Sequence, residues 1–200
     1  MRNLILKMNV TLDGFVGGPK GEIDWLFRNT GDDAKAWIVD TLRRAGAHLM
    51  GSRTYADMAA YWPSSTDVIA APMNEIPKVV FSRTGKAATT RALEDASHAA
   101  PVENAGASWG QPRIASGDLA EEIARLKQEP GKDLVAHGGA GFARSLVASG
   151  LIDEYQLVVH PVALGRGLSL FSDLPRPLPL TSVSTTRFSG GALAHVLRPA

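Results

Sequence analysis

The stretch from Leu134 to Gly150 constrains this chain most. Leu134-Val135-Ala136 is a short apolar run of strand type, His137-Gly138-Gly139 is a turn, and residues 140–148 carry a helical pattern that Gly150 closes. A strand that feeds directly into a helix needs a crossover to reach its next neighbour, and crossovers make parallel pairs. The same order recurs upstream. Ala47-His48-Leu49-Met50 reads as a strand ending at Gly51, and Ser52 can cap a helix running through Tyr55, Met58 and Ala59. Residues 3–10 alternate, with Leu4, Leu6, Met8 and Val10 on one face and Lys7 and Asn9 on the other, the pattern of a half-buried strand.

The remaining segments fit that plan. A glycine-rich loop follows the first strand, and Asp32 or Asp33 can cap a helix that carries Trp37, Ile38 and Leu42 to a stop at Gly46. Residues 78–82 read as a buried strand, Ser116 or Asp118 as the cap of a helix to about Gln128, and 155–162 as a strand. Residues 84–112 are the least legible and predict short strands and loops. Two strands, 180–188 and 192–198, joined at Ser189-Gly190-Gly191, make a hairpin. Strands alternating with helices predict an α/β fold, with a twisted, mostly parallel sheet, helices on its flanks and the C-terminal antiparallel hairpin at one edge. With 200 residues, a single domain over 1–200 is expected.

Composition removes several function classes. A formal net charge of +1 gives no bulk attraction to nucleic acid or to a membrane surface. The absence of cysteine excludes thiol nucleophiles and thiolate metal sites, and it fits a reducing cytoplasm. The first ten residues, interrupted by Arg2, Lys7 and Asn9, do not read as a signal peptide, and no apolar run reaches spanning length. The five histidines are dispersed without ligand spacing, so no metal is expected.

In open parallel sheets ligands bind beyond the carboxyl ends of the strands. Three predicted strand ends carry phosphate-binding residue types: Gly51-Ser52-Arg53-Thr54, Ser82-Arg83-Thr84 and Gly138-Gly139-Ala140-Gly141. Glycine lets backbone approach a ligand, a helix N-terminus offers free N–H groups to an anion, and arginine is a planar, permanently charged donor. A tight turn needing positive φ explains the glycines equally well. Asp13, Asp24, Asp32 and Asp33 stand near the first strand and helix, where a carboxyl could place a proton at a reacting atom; a loop turn for Asp13 and caps for Asp32 and Asp33 are the structural alternatives. Gly106-Ala107-Ser108-Trp109-Gly110 has the spacing of a nucleophile elbow. It lacks the strand before and the helix after that such an elbow needs, and reads as a chance match.

Taken together these stretches resemble the dihydrofolate-reductase-like superfamily, and within it the reductase domain of bacterial bifunctional riboflavin-biosynthesis deaminase/reductases and its free-standing relatives. The resemblance rests on residues 7–14 (Lys-Met-Asn-Val-Thr-Leu-Asp-Gly) with 21–25, on 49–55, on 79–83, on 135–142, and most specifically on 151–171 with its His160-Pro161-Val162-Ala163-Leu164-Gly165 core. It implies NADPH lying across the strand ends, and often a homodimer, for which the apolar residues at 161–164 with Leu168 and Leu170 are the expected surface. It implies that Gly51, Arg53 and Thr54 line the cofactor, that Ser82 and Arg83 take the adenosine 2′-phosphate, and that Gly138, Gly139, Gly141 and Phe142 hold the pyrophosphate and nicotinamide side. The Gly138–Gly139 peptide is expected to be cis. Asp13 and Asp33 are the expected catalytic acids, and Lys7, Asn9 and Trp25 are expected to face the substrate.

One departure bears on substrate. The pterin-binding carboxylate of dihydrofolate reductase would fall at Thr30 or Lys35, neither acidic, which argues against dihydrofolate reduction proper. The expected activity is NADPH-dependent hydride transfer to a small polar substrate, pterin- or ribosylaminopyrimidine-like, as in 5-amino-6-(5-phosphoribosylamino)uracil reduction. A non-catalytic NADP-binding or sensor protein is the alternative.

Overall fold

A computed structural model describes residues 1–28, 30–85 and 107–200. Its strands are β1 (Leu4–Thr11), β2 (Ala45–Gly51), β3 (Lys78–Phe81), β4 (Arg113–Ala115), β5 (Asp133–Ala136), β6 (Glu154–His160), β7 (Leu180–Arg187) and β8 (Leu193–Pro199). All eight form one sheet in the order β4-β3-β2-β5-β1-β6-β8-β7. Pairing is parallel from β4 through β6 and antiparallel for β6–β8 and β7–β8. This is the mostly parallel, hairpin-edged sheet of the dihydrofolate-reductase-like fold. The hairpin turn falls between Phe188 and Ala192, where Phe188 N donates to Ala192 O at 2.9 Å.

The helices are α1 (Asp32–Arg43), α2 (Ser52–Tyr61), α3 (Ala70–Glu75), the single turn α4 (Ala107–Gly110), α5 (Leu119–Gln128) and α6 (Ala140–Ser149). They cover both faces. On one side α5 and α6 bury Ile123, Leu126, Ala143 and Leu146 against Leu4, Leu6, Met8, Leu49 and Leu134. On the other, α1, α2 and α3 bury Ile38, Leu42, Tyr55 and Met73 against Ile5, Met50, Val80 and Val135. The alternation of β1 is thus a choice between two covered faces, which is why its polar members Lys7 and Asn9 still lie within the molecule.

Several sequence expectations are corrected at element ends. Neither Asp32 nor Asp33 caps α1: Gly31 holds the cap position without a side-chain bond. The Asp33 carboxylate reaches instead to the hairpin, accepting from Ser189 N (2.6 Å) and Ser189 Oγ (3.0 Å). Ser52 is the first helical residue of α2, and Gly51, the last residue of β2, precedes it as the cap. Gly46 does not stop α1. The helix ends at Arg43 with Arg44 as its cap, and Gly46 sits inside β2, where a Cβ would lie 2.9 Å from Lys132 O. The strand expected at 155–162 runs from Glu154 to His160. Leu170 is 1% exposed in the chain's own core, so it does not supply the surface expected for a partner subunit, while Leu168 is partly buried against that core. The missed elements include α3, the 3-10 turns over Asp24–Arg28 and Trp62–Ser64, α4 and β4, all too short for a periodicity to register. Within 84–112, residues 86–106 lie outside the described residues.

Of the two candidate caps for α5, the structure selects Asp118, whose carboxylate accepts from Ala120 N (2.9 Å) and Glu121 N (3.1 Å). Asp118→Ala is expected to lower unfolding free energy by about 1 kcal/mol and Asp118→Asn by much less, read by urea titration. Equal losses in the two variants would show that the cap bond contributes nothing.

Candidate functional site

The order β3-β2-β5 puts the three glycine- and hydroxyl-bearing strand ends side by side. They also touch. Gly51 N donates to Gly138 O at 3.1 Å. The Gly138–Gly139 peptide is cis, with Gly138 at φ +97°, and Gly139 caps α6. A Cβ on Gly138 would meet Met8 Sδ at 3.0 Å, and one on Gly139 would meet Thr54 Oγ1 at 2.8 Å. Nothing lies within 4 Å of a Cβ built on Gly141. The result is a cradle lined by bare backbone, with the free N–H groups of the first turn of α6 at its edge. Phe142 of that turn stacks on Phe81 at the end of β3, ring centroids 4.7 Å apart.

Beyond β3, Ser82 is buried, and its Oγ lies 3.1 Å from Thr84 Oγ1. Arg83 next to it and Arg53 in the first turn of α2 are exposed, and neither has a hydrogen bond or ion pair among the described residues. Two guanidinium groups unpaired among the described residues, beside small hydroxyls and helix N-termini, are donors that could hold a phosphate.

A second group of polar residues lies on the α1 side of the sheet. The β1–β6 register pairs Lys7 with Gln156, Asn9 with Val158 and Thr11 with His160, so these residues share one face. Lys7 is 8% exposed, and burial pushes its ammonium down to about 8. No hydrogen bond to it is found among the described residues. Its charge adds to burial in holding His137, His48 and His160 below the usual imidazole range. His137, just past β5, and His48 of β2 are joined through Nε2 and Nδ1 at 2.8 Å, and His48 Nε2 lies 3.1 Å from Pro72 O. A carbonyl only accepts, so His48 carries its proton on Nε2 and receives the His137 N–H on Nδ1. His160 Nε2 lies 3.1 Å from Asn9 Oδ1, and the Trp25 ring stands edge-on to His160 at 5.1 Å.

The two aspartates expected to act as acids are otherwise engaged. Asp13 accepts from Thr11 Oγ1 (2.6 Å), Gly165 N (2.7 Å) and Leu164 N (2.9 Å), clasping the loop after β1 to the loop after β6. Those bonds, the Thr11 hydroxyl foremost, hold its carboxyl below the usual range. Asp33 is likewise held ionised, chiefly by the Ser189 amide. Lys35 pairs with Asp67 at 2.6 Å, and the Thr30 hydroxyl donates to Leu26 O, so neither stands in for a pterin-binding acid. Ser108 Oγ bonds Asn74 O and Lys78 Nζ, and no histidine contacts it among the described residues; Gly106 of that pentapeptide lies outside them. The sequence reading missed Lys78, which is buried under the Trp109 ring and pushed down to about 7 by that burial. It also missed the His48–His137 pair. Only the pairing of β2 with β3 and β5 brings those residues together.

Comparison with known proteins shows the family and the fold. The family described as the RibD C-terminal domain matches residues 2–194. The uncharacterized protein YyaP of Bacillus subtilis (strain 168) is 30% identical over 200 residues, spanning 98% of this chain and 94% of that one. The riboflavin biosynthesis protein RibD of Corynebacterium ammoniagenes is 28% identical over 195 residues, 95% of this chain but only 52% of that protein. Among solved structures, a putative riboflavin biosynthesis protein from Shewanella sp. PV-4 superposes with a TM-score of 0.70 at 20% identity, covering 100% of this chain and 99% of that one, a likeness of fold.

The depressed Lys7 ammonium has a measurable consequence. Its folded value of about 8 lies below the ordinary 10.5, so between these pH values the unfolded chain binds a proton that the native chain does not. Stability of the wild type relative to Lys7→Met should therefore rise from pH 8 to 10.5, by on the order of 3 kcal/mol. A difference that stays flat across that window would mean that Lys7 is solvated.

Proposed function

This chain belongs to the RibD C-terminal domain family, and we propose on that premise that it is an NADPH-dependent reductase of a small polar substrate. A ribosylaminopyrimidine of the kind reduced in riboflavin synthesis, 5-amino-6-(5-phosphoribosylamino)uracil, is the candidate. The observation that supports the reading is the contact of the cis-glycine turn with the Gly51-to-Thr54 strand end, next to the Ser82-Arg83 end of the neighbouring strand, with Arg53 and Arg83 unpaired among the described residues. Assembly as a homodimer and a cytoplasmic setting belong to the same reading and rest on the family resemblance. Among the described residues, no helix is long and apolar enough to cross a membrane.

In this reading Gly138, Gly139, Gly141 and Phe142 hold the pyrophosphate and nicotinamide side of the cofactor, while Gly51 and Thr54 line it. Bare backbone suits that task because a Cβ at Gly139 would collide with Thr54. Ser82, Arg83 and Arg53 take the 2′-phosphate. The cofactor supplies the hydride, and the chain's own task is to orient the acceptor and move a proton. Lys7, Asn9 and Trp25 face the substrate. Asp13 and Asp33 remain candidate acids in this reading, and Lys7, whose ammonium burial pushes down to about 8, is a further candidate to move the proton. A non-catalytic NADP sensor would bind the same cofactor and oxidise none of it in the presence of the uracil substrate.

Cofactor choice tests the cradle. A charge-assisted bond to phosphate contributes roughly 1.5–3 kcal/mol, or about ten- to a hundredfold in affinity. Arg83→Ala should raise the Kd for NADPH by about tenfold or more and that for NADH little, and Arg53→Ala with Arg83→Ala should nearly erase the preference. Calorimetric titration of both nucleotides decides it. Equal wild-type affinities, or equal losses on substitution, would withdraw the arginine assignment.

A further inference from the structure

The two edges of the sheet are unlike. At one end β4 is three residues long, and its Arg113 is tied to Glu129 at 2.5 Å. A short, charged strand is one way a sheet edge is kept from pairing with another chain. At the other end β7 runs eight residues, and all but Leu180 are exposed. Its strand neighbour among the described residues is β8 alone. From Leu180 to Thr186 it carries neither charge nor proline, only Leu, Thr, Ser and Val. Alternate residues of an edge strand turn N–H and C=O outward, so β7 presents a ladder ready for a partner.

One irregularity decides which partner fits. The β7–β8 register shifts between Ser182 and Ser184, so Val183 is an extra residue, a bulge. Thr181, Ser184 and Thr186 stand opposite Arg198, Val196 and Ala194 on the α1 side of the sheet. Leu180, Ser182, Thr185 and Arg187 stand opposite Pro199, Leu197, His195 and Leu193 on the other side. Val183 and Ser184 both line a groove of about 310 Å³ beside Trp37 and Val196, so the two bulge residues share the α1 side. A twofold axis normal to a sheet keeps every residue on its own face, so two copies of β7 pair only where opposed residues share a face. In a regular strand such an axis falls on a residue. Here the bulge moves it to the step between Val183 and Ser184. Val183 then opposes Ser184, Ser182 opposes Thr185, Thr181 opposes Thr186, and Leu180 opposes Arg187. Each opposed pair shares a face, hydroxyl meets hydroxyl, and the two Arg187 side chains lie at opposite ends of the ladder, so no like charges meet. Shifting the axis by half a residue either way sets opposed residues on different faces.

We propose that β7 is the docking surface for a second copy of this chain, β7 against β7 in antiparallel register about a twofold axis between Val183 and Ser184. Val183, 51% exposed in the single chain, meets its symmetry mate at that axis, where the two apolar side chains leave water together. The contact closes on itself. It uses the β7 edge of both copies and leaves β4, short and charged, at each outer end of the joined sheet, so assembly stops at two. The homodimer placed above by family resemblance thereby gains a surface, and a different one from residues 161–164. The surface is argued from strand geometry and does not rest on the reductase reading.

The test uses the whole chain, which has no cysteine, so introduced thiols report without background. Opposed residues of an antiparallel pair hold their Cβ atoms about 4.5–5.5 Å apart, near the reach of a disulfide. Thr181→Cys combined with Thr186→Cys should therefore give a covalent dimer on mild oxidation, read by non-reducing electrophoresis. Thr181→Cys combined with Thr185→Cys, whose residues face opposite sides, should not. Sedimentation of the wild type at micromolar concentration should show a dimer and nothing larger. Val183→Lys, which sets two ammonium groups at the axis, should raise the dimer dissociation constant by at least about tenfold, with an unchanged far-UV circular dichroism spectrum. Should that variant fail to fold, the two cysteine pairs decide the matter. A monomeric wild type, growth into open oligomers, a folded Val183→Lys dimer as tight as the wild type, or equal cross-linking of the two cysteine pairs would each overturn the proposal. NADPH titration of the same samples is scored apart: its failure withdraws the reductase reading and leaves the dimer result standing, and a monomer that binds NADPH does the reverse.

Discussion

The insertion of β5 between β2 and β1 is the constraint on which the rest of this molecule depends. Leu134, Val135 and Ala136 are fully buried and pair in parallel with β1 on one side and β2 on the other. A strand with protein on both faces and both edges has no solvent to satisfy its backbone, so both ladders have to form. Once they do, the residues that follow β5 emerge between those that follow β2 and β1. Gly138 can then meet Gly51, and His137 can then meet His48. The cradle and the polar face are both consequences of that one strand position.

The two faces of the sheet differ in what they bury. The side covered by α5 and α6 is apolar from Leu4 to Leu157. The side covered by α1, α2 and α3 is apolar only in part, with Lys7, His48, Lys78, Gln156 and His160 all buried within it. Its solutions to desolvation are local. Gln156 receives the Thr41 hydroxyl and donates to Glu154, which pairs with Arg198, while His137 donates to His48 and His48 in turn donates to Pro72 O. Lys7 has no such partner among the described residues, and burial lowers its basicity.

Carboxylates show the opposite behaviour. Asp13 and Asp33 look like catalytic candidates when only residue type and proximity to the first strand are known. Each is a clasp between segments about 150 residues apart in sequence, Asp13 to Leu164 and Gly165, Asp33 to Ser189. The Thr11 hydroxyl first for Asp13, and the Ser189 amide first for Asp33, hold both carboxyls below the usual range, which suits a clasp.

The sequence by itself determined what depends on neighbours in the chain. The glycine turn at 137–139, the helix it opens, the alternation of β1, the hairpin at 189–191 and the αL closure at Gly150 are short-range matters of φ, ψ and side-chain period, and all are legible from residue order. The three phosphate-type strand ends were legible as residue types for the same reason, and so was Lys7 as the polar member of an apolar strand. What only the tertiary structure decided is every contact that needs a strand order. A one-residue change of register would send Lys7, Asn9 and His160 to the other face, and no local propensity records which strand lies beside which. The edge contact of Trp25 and His160, the neutral histidine couple, the buried Lys78 and the two aspartate clasps each join residues far apart in the chain. They exist because parallel backbone pairing, satisfied along β3-β2-β5-β1-β6, leaves those side chains nowhere else to be.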